Sequence, residues 1–367
     1  MMNHEKEREM LALHKTIPLT YLRYKKLSAY FDGDFGMARK AGFQDLRAAG
    51  ISNKRVEYHL AFRDSVDAEK EYEALQKCEG YIITPEDGKL PESLYQIESP
   101  PGILFARGEI SAADFPAIAV VGSRKITAYG KQCVEHIVPK LAQNKLTIVS
   151  GLALGTDILA HQSCVNNNQK TIAVLGSAID SIQPGSNKKW AEEQLQSGML
   201  TIISEYAPGA KATRNNFVIR NRIVAGLSVA TVVIQAGERS GTIATANLTM
   251  AMGRELFVVP SEIFDGAYRG SHELLKMGIA VPLMDADQII ERLGLEQNTQ
   301  QNEAKKVLPA EPNEAYILSL YGAENKMHRD EILRNSQLQQ DETMALLTIM
   351  ELKGQLKSLG GGVLQRG

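Results

Sequence analysis

The sequence predicts a doubly wound α/β domain with a mostly parallel sheet, preceded by a small all-helical module and followed by a winged helix, in a chain of 367 residues. Three observations carry this expectation. From Ile118 to about Leu293, short apolar runs alternate with helical stretches, and nearly continuous apolar strands are what a parallel sheet covered on both faces requires. Several of these runs end in glycine-bearing turns, where open α/β sheets bind their ligands. Near the C-terminus, three helical segments are followed by two short strands about a glycine turn, the element order of a winged helix.

Taken in order, residues 1–80 form the helical module. Its periodicity breaks at Phe31-Asp32-Gly33-Asp34, at Ala41-Gly42 and at Ala49-Gly50-Ile51-Ser52, as expected for short helices joined by glycine turns. Residues 81–117, with Pro85, Pro91, Pro100, Pro101 and Pro116, read as an extended connection with one or two strands. The α/β domain occupies 118–293, with strands predicted at 117–121, 146–150, 171–175, 200–204, 230–235 and 255–260. Residues 294–313 are polar and nearly free of aromatics, the composition of a flexible linker. The winged helix takes 314–367, with helices at about 314–321, 328–335 and 340–353 and the strand pair within G-Q-L-K-S-L-G-G-G-V-L-Q-R.

Composition narrows the class. A hydrophobic content of 44% supports two or three domains with real cores. The N-terminus leads into no apolar run of signal-peptide or membrane length, so a cytoplasmic location without a membrane partner is expected. Cys78, Cys133 and Cys164 have no CxxC spacing, which argues against a zinc site or a disulfide framework. The net charge of −2 divides unevenly: residues 118–290 carry 16 Lys+Arg against 13 Asp+Glu, a balance of +3. So small an excess means that an anion site must be built locally by folding a few cations together.

The strand ends supply such a site. After the first strand of the α/β domain comes Gly122-Ser123-Arg124-Lys125-Ile126-Thr127, with Thr127 placed to cap the next helix. Glycine admits an anion to the backbone, a helix start offers free N–H groups, and arginine grips phosphate oxygens in pairs. Ser150-Gly151-Leu152-Ala153-Leu154-Gly155-Thr156-Asp157 and Gly237-Glu238-Arg239-Ser240-Gly241-Thr242 repeat the pattern after two further strands. Between Ser204 and Ser228 a basic loop carries Lys211, Arg214, Arg220 and Arg222 against the single acid Glu205, with Phe217 among them. Cations for phosphates and a flat ring for an unpaired base suit single-stranded nucleic acid, although Phe217 serves equally well as a core plug.

Neither G-x-G-x-x-G nor G-x-x-x-x-G-K-[ST] occurs at these turns, so nicotinamide chemistry and ATP hydrolysis lack support. His161 and Cys164 stand three apart without further ligands, which favours core or capping roles over a metal. Asp157 reads as a dipole-favoured or loop-bracing carboxylate. Glu205 and Glu238 have no nucleophile or oriented histidine beside them. Binding without turnover, with no cofactor, no metal and no catalytic residue, is the expectation. The alternative is a Rossmann-like nucleotide-binding enzyme of the nucleoside monophosphate hydrolase type, for which Glu238 beside Gly237 and Gly241 is the loose fit.

Six motifs in this order and spacing resemble the DprA/Smf family of bacterial DNA-processing proteins: V-G-S-R at 121–124, S-G-L-A-x-G-x-D-x-x-A-H at 150–161, N-F-x-x-R-N-R-I-x-A-G-L-S at 216–228, R-S-G-T-I-x-T-A at 239–246, G-R-E-L-F-V-V-P at 253–260 and R-G-S-H-E-L-L at 269–275. The resemblance implies an extended Rossmann-like domain and a homodimer. It also implies a single-stranded DNA binder that protects incoming strands and helps load RecA in natural transformation and recombination, without an established catalytic activity. It places Gly122 and Arg124 in the DNA pocket, with Arg214 and Phe217 as cation and stacking surface. Ser123, Lys211, Arg220, Arg222, Ser240 and Gly241 extend that pocket. The N-terminal module loosely resembles a SAM-like or helix-hairpin-helix unit. Four positions depart from the family's usual residues: Leu154 replaces a frequent arginine, Thr156 an isoleucine, Gln235 a glutamate and Ser261 a glycine. The third helix of the winged module carries Asp341, Glu342 and Glu351 against Lys353, a face that repels phosphates and suggests a protein-contact or regulatory role.

Overall fold

Six short helices open the chain in the computed structural model, which describes residues 4–294, 312–321, 326–352, 355–358 and 362–366. They are α1 (His4–Thr16), α2 (Tyr21–Tyr30), α3 (Phe35–Lys40), α4 (Phe43–Ala48), α5 (Asn53–Phe62) and α6 (Ala68–Lys77). The three predicted breaks fall between them. Asp32, Gly33 and Gly50 adopt φ of 49°, 73° and 81°, a region that glycine enters without steric cost. Asp34 caps α3 by accepting from the Met37 amide, and Asp67 caps α6 by accepting from Glu69 and Lys70, each satisfying N–H groups that a helix start leaves bare.

A nine-stranded sheet follows: β1 (Tyr81–Ile83), β2 (Leu104–Arg107), β3 (Ala117–Gly122), β4 (Thr147–Ser150), β5 (Thr171–Leu175), β6 (Leu200–Ser204), β7 (Ala230–Gln235), β8 (Glu255–Val258) and β9 (Val281–Pro282), in spatial order β1-β2-β6-β5-β4-β3-β7-β8-β9. The six predicted strands are present and mutually parallel where they pair. The last of them stops at Val258 rather than Pro260, whose missing N–H cannot serve a ladder. Residues 81–117 are more than a connection, because β1 and β2 join the same sheet antiparallel, β2 pairing with β6. Along β2, β5, β6 and β7 every residue is buried, which is why these strands read as unbroken apolar runs.

Helices α7 (Ala128–Gln143), α8 (Thr156–Asn166), α9 (Lys188–Gln196), α10 (Arg214–Leu227), α11 (Gly241–Ala251), α12 (Arg269–Lys276) and α13 (Asp287–Arg292) accompany the sheet. One buried cluster joins Ala119, Val121 and Val233 of the strands to Ile223, Val224 and Ala246 of α10 and α11. A second joins Met10 and Leu13 of α1, and Ile17 just after it, to Phe105 of β2, Leu175 of β5 and Ile202 of β6. The helical module therefore shares its core with the sheet, and residues 1–289 form a single compact unit. The Lys15 ammonium on α1 donates to the Pro208 carbonyl (3.0 Å) in the segment leading to α10. From β3 the chain winds outward through β4, β5 and β6, then returns to place β7 on the other side of β3. That reversal leaves a crevice beyond the carboxyl ends of β3 and β7, the ligand position of such sheets.

The second unit, residues 290–367, contains α14 (Pro312–Ser319), β10 (Lys326–His328), α15 (Arg329–Asn335), α16 (Gln340–Leu352), β11 (Leu356–Ser358) and β12 (Val363–Arg366). The three helices and the final strand pair match the sequence expectation. The additional strand β10 pairs with β12, giving the antiparallel order β10-β12-β11. Ile317, Ile332, Leu347, Met350, Leu356 and Leu364 build its core. Asp341 and Glu342 are exposed at the start of α16, and Glu351 pairs with Arg329 at 2.6 Å. The predicted linker at 294–313 falls outside the described residues except at its ends, where Gly294 closes the first segment and α14 begins at Pro312. Among the described residues no helix is long and apolar enough to cross a membrane.

Candidate nucleic-acid interface

The turn after β3 is held from several sides. A Cβ on Gly122 would come within 2.4 Å of the Thr156 hydroxyl oxygen, so only glycine fits there. The Ser123 carbonyl accepts from the Thr156 amide (3.1 Å) and hydroxyl (3.3 Å), while its own Oγ accepts from the Lys125 amide (3.0 Å). Gln235, at the end of β7, accepts from the Thr127 amide (2.9 Å) and hydroxyl (3.3 Å) and donates to the Lys125 carbonyl (3.4 Å). A glutamate at 235 could not make that last donation. Thr127 caps α7 through the Gly130 amide (3.1 Å), as the sequence predicts. Arg124 stands out of this braced turn, exposed and without a hydrogen bond or ion pair among the described residues.

The turn after β4 is braced as firmly. Asp157 Oδ2 accepts from the amides of Gly151 (3.2 Å) and Ala153 (3.4 Å), the loop-bracing role anticipated for it. Asn187 donates to the Leu152 carbonyl at 2.9 Å. Gly155 sits at φ +76°, and a Cβ there would lie 2.3 Å from the Ser123 carbonyl oxygen, so the two turns pack backbone to backbone. Burial pushes the Asp157 carboxyl up, against the opposing pull of Arg220 and of the amides.

The basic stretch corrects the sequence expectation. Most of it is helix: Ala207-Pro208-Gly209 turns the chain after β6, and α10 starts at Arg214 behind an extended Thr213. Helical phase then separates the four cations. Arg214, Phe217, Val218 and Asn221 share the face that lines the crevice. Arg220, expected to face DNA, is buried, and its Nη1 donates to the carbonyls of Gly151 (2.8 Å) and Val174. Burial brings its pKa down to about 10, with Asp157 working in the opposite direction. Arg222 forms a two-pronged pair with Glu205, both distances 2.7 Å. Lys211 is exposed outside the crevice. Two of the four cations are thus committed within the protein, while Arg214 makes no hydrogen bond or ion pair among the described residues.

Two adjoining cavities result, of about 370 Å³ and about 510 Å³, which share Arg124, Gly151, Ala153, Phe217 and Val218 as common wall. The first brings together Gly122, Ser123, Arg124, Phe217, Arg220, Ser240 and Gly241 of the predicted residues. Ser240 precedes α11, and its hydroxyl has no partner among the described residues. Phe217 is half-buried, seated where a Cβ on Gly176 would reach its Cα and Cδ1 at 2.8 Å. Sequence reasoning missed Gln183, Pro184, Val218, Asn221, Thr242 and Thr245 as lining residues and noted Leu154 only as a departure from a frequent arginine. A usable signal existed for the Gln183-Pro184 loop, since T-I-A-V-L is followed at once by Gly176-Ser177, one more glycine turn at a strand end.

His161 is a core residue. Thr171 gives its hydroxyl hydrogen to the Ile148 carbonyl (2.7 Å), so its oxygen accepts from His161 Nδ1–H (2.7 Å). Burial holds this imidazole neutral, at a pKa of about 3. Cys164 is buried on the same helix, and no cluster of three metal-ligating side chains occurs among the described residues.

The chain matches the family described as DNA recombination-mediator protein A over residues 81–294, and the DprA winged helix domain over residues 301–362. It is 36% identical to the DNA processing protein DprA of Streptococcus pneumoniae, over 66% of this chain and 84% of that one. With Protein Smf of Synechocystis sp. it shares 34% identity over 73% of this chain and 68% of the relative. The crystal structure of the S. pneumoniae DprA superposes with a TM-score of 0.67 at 29% identity, covering 79% of this chain and 98% of that one. A Helicobacter pylori DprA, described for its single-stranded DNA binding mode, superposes with a TM-score of 0.52 at 31% identity, covering 58% and 95%.

Proposed function

The chain belongs to the DprA/Smf family of DNA processing proteins, and from that premise we propose that its α/β domain binds single-stranded DNA along the crevice beyond β3 and β7. One observation carries the proposal: Arg124 and Arg214, neither paired among the described residues, line one cavity with the half-buried ring of Phe217 at the switch point of the sheet. Phosphates would lie on the two guanidinium groups and a base on the ring, a mode tolerant of sequence and sensitive to salt. Family membership supports two further parts of the proposal. The protein acts as a homodimer, whose two crevices gain affinity by acting together, and it protects incoming strands and delivers them to RecA during transformation and recombination in the cytoplasm. The winged helix, with acids exposed at the start of α16, serves protein contact or regulation; a deletion from residue 294 that abolished DNA affinity outright would contradict that role.

A nucleoside monophosphate hydrolase needs a carboxylate facing the crevice. Glu238 is exposed and lines neither cavity, and Asp157, which lines the smaller one, is buried and engaged by the amides of Gly151 and Ala153. Binding without turnover suits this arrangement better. The test is fluorescence anisotropy with labelled single strands and duplexes across a salt series. Tight binding that prefers single strands is expected, with the slope of log affinity against log salt shallower by about 0.7 in Arg124→Ala. Absence of strand binding in the wild type, alongside stabilisation by a mononucleotide in a thermal shift, would move the assignment to the hydrolase.

A further inference from the structure

We propose that the larger cavity, walled by Phe217, Leu154, Pro184 and Val218, is a second base subsite that takes the nucleotide next along the strand from the one in the smaller cavity; this rests on the DNA reading of the crevice. The two compartments differ in chemistry. The smaller presents Ser123, Asn221, Ser240 and Thr242, side chains that hydrogen-bond the edge of a base. The larger presents Leu154, Val218, the Pro184 ring and the Phe217 ring, with Gln183 as its one neutral polar side chain and Arg124 and Arg214 as its only charged lining residues.

Leu154 and Val218 are 45% and 54% exposed. Scattered apolar residues on a surface mean little, but here two of them line one concavity with Pro184 and Phe217, and such a grouping marks a binding site. Its volume of about 510 Å³ falls in the range of pockets that enclose small ligands. The lining contains two cations and no carboxylate, which selects an anionic occupant with apolar faces. A nucleotide fits both requirements, because the base is flat and apolar on its faces and the phosphate is the anion. Arg124 and Phe217 belong to both cavities, so consecutive bases would sit on either side of the ring with the connecting phosphate at Arg124. Leu154 is held in place for this, since Asp157 fixes the amides of Gly151 and Ala153 and Asn187 fixes the Leu152 carbonyl. With Gln183 as its one neutral hydrogen-bonding side chain, the second subsite holds its base chiefly by stacking, in keeping with the sequence-tolerant mode proposed for the crevice.

The experiment uses the full chain and short strands of abasic residues that carry either one thymidine or two adjacent thymidines. In the wild type the second base is expected to tighten binding by about fivefold to a hundredfold, the span of one stacking contact. In Leu154→Ser that gain collapses towards unity. In Leu154→Arg it is lost while the salt dependence steepens by about 0.7, the signature of one added phosphate contact. Thermal melting confirms that each variant is folded. A wild type indifferent to the second base, or a gain equally large in Leu154→Ser, would overturn the subsite while strand binding itself stands. Failure of every strand, the unmodified one included, would overturn the DNA reading beneath it.

Discussion

Replacing Arg220 by methionine separates a structural arginine from a DNA-binding one. The guanidinium is buried, donates to the Gly151 and Val174 carbonyls, and neighbours the buried Asp157. Methionine fills much of the volume but leaves two carbonyls without donors and a carboxylate without its cation. Leaving a buried acceptor without its donor costs about 1–3 kcal/mol, so two such carbonyls, together with the loss of the charge near Asp157, place the cost at about 3–5 kcal/mol. With a urea dependence of about 3 kcal/mol per molar, the upper end of the usual range, the unfolding midpoint should fall by roughly 1 M or somewhat more. The loss should also depend on pH. Without Arg220 the Asp157 carboxyl is raised further above its unfolded value, so the native state holds a proton that the unfolded chain has released. The variant is therefore penalised least in acid, and increasingly as pH rises from the unfolded carboxylate value through the folded one. Arg124→Ala should behave oppositely, leaving stability within about 0.5 kcal/mol, as surface substitutions do, while reducing the salt dependence of DNA binding. An Arg220→Met protein that unfolds with the wild-type midpoint but has a salt slope shallower by about 0.7 would show that this guanidinium reaches phosphate, refuting its placement.

Two other perturbations test different parts of the structure. Gly176→Ala drives a methyl to within 2.8 Å of Phe217 Cα and Cδ1; overpacking of this kind costs about 1–3 kcal/mol, and strand affinity measured by anisotropy should drop as the ring is displaced, whereas unchanged affinity would detach Phe217 from the DNA surface. His161, neutral at a folded pKa of about 3 against an ordinary 6.5, takes up its proton in the unfolded chain first, so the stability it permits is present above about pH 6.5 and is lost as pH falls towards 3. Urea unfolding across that range should show an acid limb shallower by about 1.4 kcal/mol per pH unit in His161→Leu, and an identical limb in both proteins would show that the imidazole takes up its proton in the folded state despite its burial.

Legibility followed the range of the interactions. Strands β3 to β8 could be read because both their faces are covered, which prints an unbroken apolar run on the sequence. The turn after β3 could be read because Gly122, Arg124 and Thr127 each answer a local requirement. Strands β1 and β2 were legible only as one or two strands somewhere within 81–117, because these three- and four-residue segments join the sheet through β2 pairing with β6, far along the chain. The cations of α10 were misassigned for a different reason. Lys211 to Arg222 looks like a loop because of the Pro208-Gly209 turn before it, and in a loop every cation is available to a ligand. Once Arg214 opens a helix, the offsets of four residues to Val218, six to Arg220 and eight to Arg222 decide which side chains share its face, and only tertiary contacts with Val174, Gly151 and Glu205 reveal where the other cations went. Pro184 could not be read as a site residue because an apolar side chain in a turn has no chemistry to announce, and Leu154 could be read only through its departure from a frequent arginine.

The shared core of the helical module and the sheet separates two kinds of boundary. The match to the family model starts at residue 81, yet Met10, Leu13 and Ile17 are buried with Phe105 and Ile202, and Lys15 holds the Pro208 carbonyl ahead of α10. An excised fragment beginning at 81 would carry an uncovered apolar sheet face, and it would also release a tether on the segment that aims Arg214 and Phe217. The first helix thus belongs to the scaffold of the crevice although it touches none of it, and amides in α1 should exchange with solvent only through the same global opening that dismantles the site.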